Sequence, residues 1–269
     1  MRVIKTVFAL LLLALALPLC AQPLMNWQSW QTLLQQAVVL QRDGTASQVD
    51  YTYLATQKPA LAQLLNETAS VSRAQFDRAS NPEQLAFLIN LYNLATVDLV
   101  LTAYPKLASV KELGGLFSSP WTLERVQLFG SAVSLDTIEH TLIRGSGRYN
   151  DPRIHFAVNC ASIGCPALRE EAYVAERLEA QLQEQAQRFL SDRSRNRLSG
   201  NRLQVSSIFK WYGDDFGKGW GGARSLAHFL SLYSQALGLT EPQRQALLQQ
   251  QIKIEFLPYD WALNRKPNS

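Results

Sequence analysis

The side chains most able to do covalent or metal chemistry crowd into one run, Arg153-Ile-His-Phe-Ala-Val-Asn-Cys-Ala-Ser-Ile-Gly-Cys-Pro166. The sequence has only 3 cysteines and 3 histidines, and this run holds two of the former and one of the latter. A thiolate is a nucleophile or a metal ligand, and an imidazole exchanges its proton near neutral pH. Ile154, Phe156 and Val158 alternate with His155, Ala157 and Asn159, which predicts a strand that presents His155 and Asn159 on one side. The alternation breaks after Asn159 and ends at Pro166, predicting a turn that exposes Cys160.

Three chemistries fit these residues. The first is a cysteine-dependent hydrolase or acyltransferase, which needs a thiolate, a histidine and a group that orients the histidine. Cys160 would attack an amide or ester carbonyl, with His155 or His140 as base. Glu139, Asn159 or Asn90 would orient the base or bind the oxyanion, and backbone N–H groups around Ala161 and Ser162 could cradle it. The acyl-enzyme would pass to water or an amine, and no cofactor is required. The second is a non-catalytic binding module shaped by a Cys160–Cys165 disulfide. The third is a zinc site of His155, Cys160 and Cys165 with His140, although this spacing is unlike the short loops of common zinc sites. The hydrolase is the preferred reading, with no metal assigned.

The flanking elements must position these groups. Ser80-Asn-Pro82 precedes a helix through Leu85, Leu88, Tyr92 and Leu99 that is apolar nearly all round and so central and buried. It carries Asn90 and Asn93 on one face, either to satisfy nearby loop backbone or to orient catalytic or substrate groups. Ser134 caps a short helix bearing Glu139, His140 and Arg144, and the adjacency of Glu139 and His140 predicts that only one of them faces the site. Trp211, Tyr212 and Asp215 belong to an aromatic segment read as core plus rim, with a substrate platform as the alternative. Asp50 and Tyr51 read as extended, Ser72 to Gln75 as a capping box, and residues 171 to 190 as a helix. His228 reads as structural within a closing helix. Strands near 121 to 133 (within a hairpin from Ser118), 153 to 159, 198 to 205 and 251 to 256 predict an α+β fold, a helix-rich N-terminal part packed on a mostly antiparallel sheet.

Arg2 and Lys5 precede an apolar run from Val7 to Leu19, the pattern of a secretory signal peptide over residues 1–21. The run is shorter than the roughly 20 apolar residues of a comfortable membrane span. A lipoprotein acylated at Cys20 competes, but Leu19 stands where a small residue is expected. Cleavage would remove Arg2 and Lys5 and no acid, lowering the formal charge from +4 to +2. That balance does not point to nucleic acid, and Arg188, Arg193, Arg195, Arg197 and Arg202 read as a solvated hairpin rather than an anion contact. The full sequence is 47% hydrophobic and 18% charged, and residues 22–269 are expected to form one soluble α+β domain without a membrane span. It would be a periplasmic or secreted monomer acting on a peptide or small-molecule substrate.

Five stretches carry a resemblance: Ala86-Phe-Leu-Ile-Asn-Leu-Tyr-Asn93, Leu135-Asp-Thr-Ile-Glu-His140 with Leu142-Ile-Arg144, Arg153 to Cys160, Ile208 to Tyr212 with Asp215-Phe216, and Phe256-Leu-Pro-Tyr-Asp-Trp261. In this order, over roughly residues 50–264, they resemble domain-of-unknown-function family 547, found in exported bacterial proteins and in plants. The resemblance implies a papain-like or transglutaminase-like relationship to cysteine hydrolases. The family pattern also implies Cys160, rather than Cys165, as the chemical cysteine.

Overall fold

The computed structural model describes residues 23–115 and 119–267, so residues 1–21, expected to be a signal peptide and including Cys20, lie outside the described residues, as does Ser118. The N-terminal side is helical: α1 (Gln28–Ala37), α2 (Tyr51–Thr56), α3 (Lys58–Ser70) and α4 (Arg73–Arg78) surround α5 (Asn81–Leu101). Asp50 is not extended but caps α2, accepting from Tyr53 N at 2.8 Å. The predicted capping box of Ser72 and Gln75 opens α4. Ser80 caps α5, which by length and composition could cross a bilayer, yet 94% of its most apolar window is buried inside the protein. That burial is the pattern of a core helix.

The α+β class holds, but the strands do not join in one sheet. Among the described residues, β1 (Val38–Gln41) pairs with β2 (Ala46–Val49), and β3 (Val126–Leu128) with β4 (Ser131–Val133), as separate antiparallel hairpins. In the third sheet β5 (Arg197–Ser199) runs antiparallel to β6 (Arg202–Ser206), and β7 (Lys253–Leu257) runs parallel to β6. The predicted strand over 153 to 159 is instead a 3₁₀ turn, Pro152–Phe156, followed by loop. Asp151 accepts from Arg153 N at 2.9 Å and Pro152 fixes the first turn, so the chain starts a helical turn there. Residues 154 to 159 are buried on both of the supposed faces, and a short apolar run buried all round has no face for a period of two to report. The predicted helix over 171 to 190 begins later, as α6 (Leu178–Ser191) after a 3₁₀ turn.

Two apolar clusters result. One gathers α1 to α5 and the segment around Ile138 and Ile143; the other gathers α6, the third sheet, α7 (Ile208–Trp211), α8 (Gly213–Phe216) and α9 (Leu226–Leu232). Ile154, Ala157 and Val158 pack into the first cluster while Phe156 packs into the second, so the histidine-bearing turn lies on their seam. Buried Arg153 anchors it, reaching both Asp151 and Glu179 at 2.6 Å and lying 4.5 Å from the centre of the Trp220 ring. The arginine cluster is engaged within the fold: Arg188 on Glu170, Arg195 on Asp192, and Arg193 and Arg197 on backbone carbonyls.

Candidate active site

His155, only 3% exposed, is fixed by a ring and a carboxylate. Its ring stacks on Tyr212 with centroids 4.0 Å apart, and its Nε2 lies 2.9 Å from Asp215 Oδ2. Asp215, in α8, also accepts from Arg144 Nε at 2.6 Å and Lys218 Nζ at 2.7 Å. Burial alone would raise this carboxyl, but the hydrogen bonds from His155, Arg144 and Lys218 outweigh it and hold the group far below the usual carboxylate range. A carboxylate can only accept, so the His155 proton sits on Nε2 and Nδ1 keeps its lone pair. That Nδ1 is buried with no partner among the described residues. Burial pushes the imidazole's pKa down despite Asp215 and Glu139, which favours the neutral ring.

Glu139 and His140 ride a π-helical segment, Thr137–Arg144. A π turn holds more residues than an α turn, so adjacent side chains are rotated less and both line the cleft, against the expectation that only one would. Arg144 Nη1 lies 2.8 Å from His140 Nδ1, and because arginine only donates, this nitrogen is the acceptor. His140 Nε2 stands 3.8 Å from Asp136 Oδ1. Burial first, and the Glu139 carboxylate second, raise the pKa of the Tyr92 and Tyr212 phenols, keeping both as O–H groups at neutral pH.

A cleft of about 190 Å³ opens above these groups. Tyr92, Asp136, Glu139, His140, His155, Cys160 and Cys165 line it, together with Trp121, Trp211, Tyr212, Tyr259 and Trp261. Trp211, 47% exposed, stacks on Trp261 and therefore forms a rim of the cleft. Another hollow of about 230 Å³, between α3, α5 and β3, has no cysteine or histidine among its described lining residues.

Cys160 and Cys165 form a disulfide. The Tyr259 hydroxyl lies 3.2 Å from both sulfurs and accepts from Ser162 Oγ at 3.2 Å, while Ser162 Oγ is 3.1 Å from Cys160 Sγ. Gly164 permits this approach: a Cβ there would stand 2.8 Å from ring carbons of Tyr259. Burial pushes the Tyr259 phenol up to about 12, so it remains a donor at neutral pH.

The asparagines hold the loop and do not line the cleft. Asn93 Oδ1 accepts from Asn159 N at 2.8 Å and its Nδ2 donates to Ala157 O at 3.0 Å. Asn90 clamps Tyr173 in the same way, accepting from its N at 2.9 Å and donating to its O at 2.8 Å. Asn159 Nδ2 donates to Pro166 O at 2.7 Å, and its Oδ1 accepts from Ala161 N at 2.8 Å. Ala161 takes a left-handed φ of 61°. Its N–H is thus engaged and not open to an oxyanion, and the donors beside the sulfurs are the Tyr259 hydroxyl and Cys160 N–H, which lies 2.9 Å from Cys165 Sγ.

Among the described residues no three His, Cys, Asp or Glu side chains converge as a metal site: His155 faces Asp215, His140 faces Arg144, and the sulfurs pair with each other. The orienter of His155 is Asp215, which sequence reasoning grouped with binding residues. Tyr259, Trp261, Trp121 and Tyr92 went unassigned; the only signal for the first two was their place in the Phe256–Trp261 stretch.

Residues 76–190 match the model of a family described as a protein of unknown function, DUF547. The match covers the Ala86–Asn93, Leu135–Arg144 and Arg153–Cys160 stretches, while the Ile208–Phe216 and Phe256–Trp261 stretches lie outside it. The fold nevertheless brings Trp211, Tyr212, Tyr259 and Trp261 to the same cleft. No curated protein and no solved structure matches the chain.

Proposed function

With residues 76–190 matching the DUF547 family model, whose description assigns no activity, we propose from the cleft itself a cysteine-dependent acyl-transfer enzyme, a hydrolase or acyltransferase, held in its disulfide form. The observation that carries the reading is the His155–Asp215 pair, which leaves Nδ1 buried and unpartnered on a residue that lines the same cleft as Cys160. One ring nitrogen fixed by a carboxylate and the other left for a thiol is the division of labour of a cysteine–histidine–acid triad.

A dithiol reductant would supply two electrons and two protons, converting the disulfide to two thiols and itself becoming a disulfide. The Cys160 thiol proton passes to His155 Nδ1, and the thiolate attacks the carbonyl carbon of an amide or ester. The Tyr259 hydroxyl and the Cys160 N–H, released from Cys165 Sγ, donate to the resulting oxyanion. Collapse expels the amine or alcohol, which takes the proton from His155. Water or an amine then attacks the thioester, again giving its proton to His155, and Cys160 leaves as thiol. The export-type leader sequence and the disulfide support a periplasmic or secreted location.

Incubating the reduced protein with p-nitrophenyl acetate tests this. One acetyl group per chain should appear on Cys160 by mass spectrometry, with a burst of nitrophenolate. Cys160→Ser should abolish the adduct, and His155→Gln should slow it by about 10²-fold or more. If acetylation of the reduced protein is absent, or is indifferent to His155, the acyl-transfer reading fails. The disulfide and the aromatic walls would then favour a non-catalytic binding module.

A further inference from the structure

The charge and aromatic character of the cleft are not balanced by its own residues. Two carboxylates, Asp136 and Glu139, line it, and no Lys or Arg is among its described lining residues. Asp215 lies behind His155 and is already matched by Arg144 and Lys218. Glu139 is buried, and its partners carry no compensating charge: the Tyr92 and Tyr212 phenols hydrogen-bond to it as neutral O–H groups, while the nearest imidazole nitrogen, His140 Nδ1 at 3.9 Å, is engaged as an acceptor from Arg144. Indole and phenol rings that line the same cleft pack as a continuous wall: Trp121 against Trp261 with centroids at 5.8 Å, Trp261 against Tyr259 at 4.5 Å, and Tyr259 against Trp211 at 4.9 Å.

Carboxylates and π faces lining one cleft both attract an ammonium group. The chain itself samples this chemistry, since the Lys111 ammonium lies 4.2 Å from the centre of the Trp261 ring. His155, whose Nδ1 is buried without a partner among the described residues, lines the same cleft and marks where a reacting group would complete the set. Size narrows the class: about 190 Å³ is below the roughly 300–1,000 Å³ of sites that enclose a drug-sized ligand, so the cleft admits one side-chain-sized group.

We infer that this cleft binds a primary ammonium group of a peptide-like substrate, held between the Asp136 and Glu139 carboxylates and the Trp121, Trp211 and Trp261 rings. The inference rests on reading the cleft as the substrate site. Burial, together with the Glu139 charge, already raises the Asp136 carboxyl pKa, a repulsion that a bound cation would relieve.

The test uses the full mature protein with its disulfide intact and needs no thiol chemistry. Tryptophan fluorescence and calorimetry would follow four probes: N-acetyl-lysine amide, which carries a side-chain ammonium; alanine amide, an α-ammonium; N-acetyl-alanine amide, neutral; and N-acetyl-glutamate amide, an anion. At least one ammonium probe should bind about tenfold or more tightly than the neutral one. Whichever of the two wins identifies a side-chain or a terminal amine as the source. Asp136→Asn, at a half-exposed position, should remove most of that preference while leaving the unfolding midpoint close to wild type, and Glu139→Gln should do the same if it folds. Equal binding of neutral and ammonium probes, no binding of any probe, or preference for the anion overturns the inference. Ammonium binding without acetylation of Cys160 would sink the acyl-transfer reading alone. Acetylation without ammonium preference would sink this inference alone.

Discussion

His155 is the residue whose protonation sets the pH dependence of stability, and in the proposed acyl transfer it is the base. Burial lowers its pKa in the folded protein, whereas an exposed imidazole titrates near about 6.5. Below that value the unfolded chain takes up a proton that the folded chain refuses, so stability falls as the pH drops through about 6.5. Asp215 behaves differently: its folded-state pKa is depressed, so its contribution is fully present above about 3.9 and is lost only as the pH falls below it. The urea midpoint should therefore hold steady from pH 8 to 7 and decline from about 6.5 to 5, by up to roughly 1.4 kcal/mol per pH unit for one group. His155→Gln should flatten this limb. An unchanged wild-type midpoint down to pH 5, or an equal slope in the variant, would contradict a buried neutral imidazole. At this scale the residue types were legible from the sequence, and the carboxylate partner of His155 was not. Asp215 lies 60 positions away, and nothing local aims it at the ring.

At the scale of elements, α5 works as a ruler against which the cysteine loop is set. Asn93 joins it to the Ala157–Asn159 backbone and Asn90 joins it to Tyr173, so one helix face fixes both ends of the segment that carries Cys160 and Cys165. Each asparagine satisfies one buried donor and one buried acceptor, and leaving such groups unpaired costs about 1–3 kcal/mol apiece. Asn90→Ala and Asn93→Ala should each destabilise by roughly 2–4 kcal/mol in urea unfolding. Only Asn93→Ala should also speed reduction of the disulfide by dithiothreitol, because only Asn93 holds the backbone entering the cysteine loop. Equal reduction rates in the two variants would show that the loop is held by other contacts. The helix and its two amides could be read from the sequence, because a spacing of three puts them on one face whatever the fold. Their partners could not, being 64 to 83 residues away.

For the molecule as a whole, the site lies where two apolar clusters meet, and Phe156 is the residue that ties the histidine turn to the second. It is fully buried, with ring centroids 5.1 Å from Phe189 and 5.9 Å from both Phe209 and Phe216. Phe156→Ala should cost about 3–5 kcal/mol in urea unfolding, while Phe156→Leu, which keeps most of the volume, should cost clearly less. A loss under about 1 kcal/mol for the alanine variant would mean that the two clusters are joined elsewhere.

By itself the sequence determined what short-range rules can reach. Ser80 and Pro82 start the central helix, Ser72 and Gln75 close a capping box, Ser199-Gly200-Asn201 turns a hairpin, and two cysteines five apart are close enough to pair. Each of these follows from dihedral preference, capping or loop closure over a few residues. Only the tertiary structure decided that residues 153 to 159 form a turn buried all round, because burial on both sides erases the periodicity that separates strand from turn. It alone placed Asp215 behind His155, and Tyr259, 99 residues from Cys160, over the sulfurs. Those pairings are set by how the two cores pack against each other, and packing depends on volume and shape summed over the whole chain.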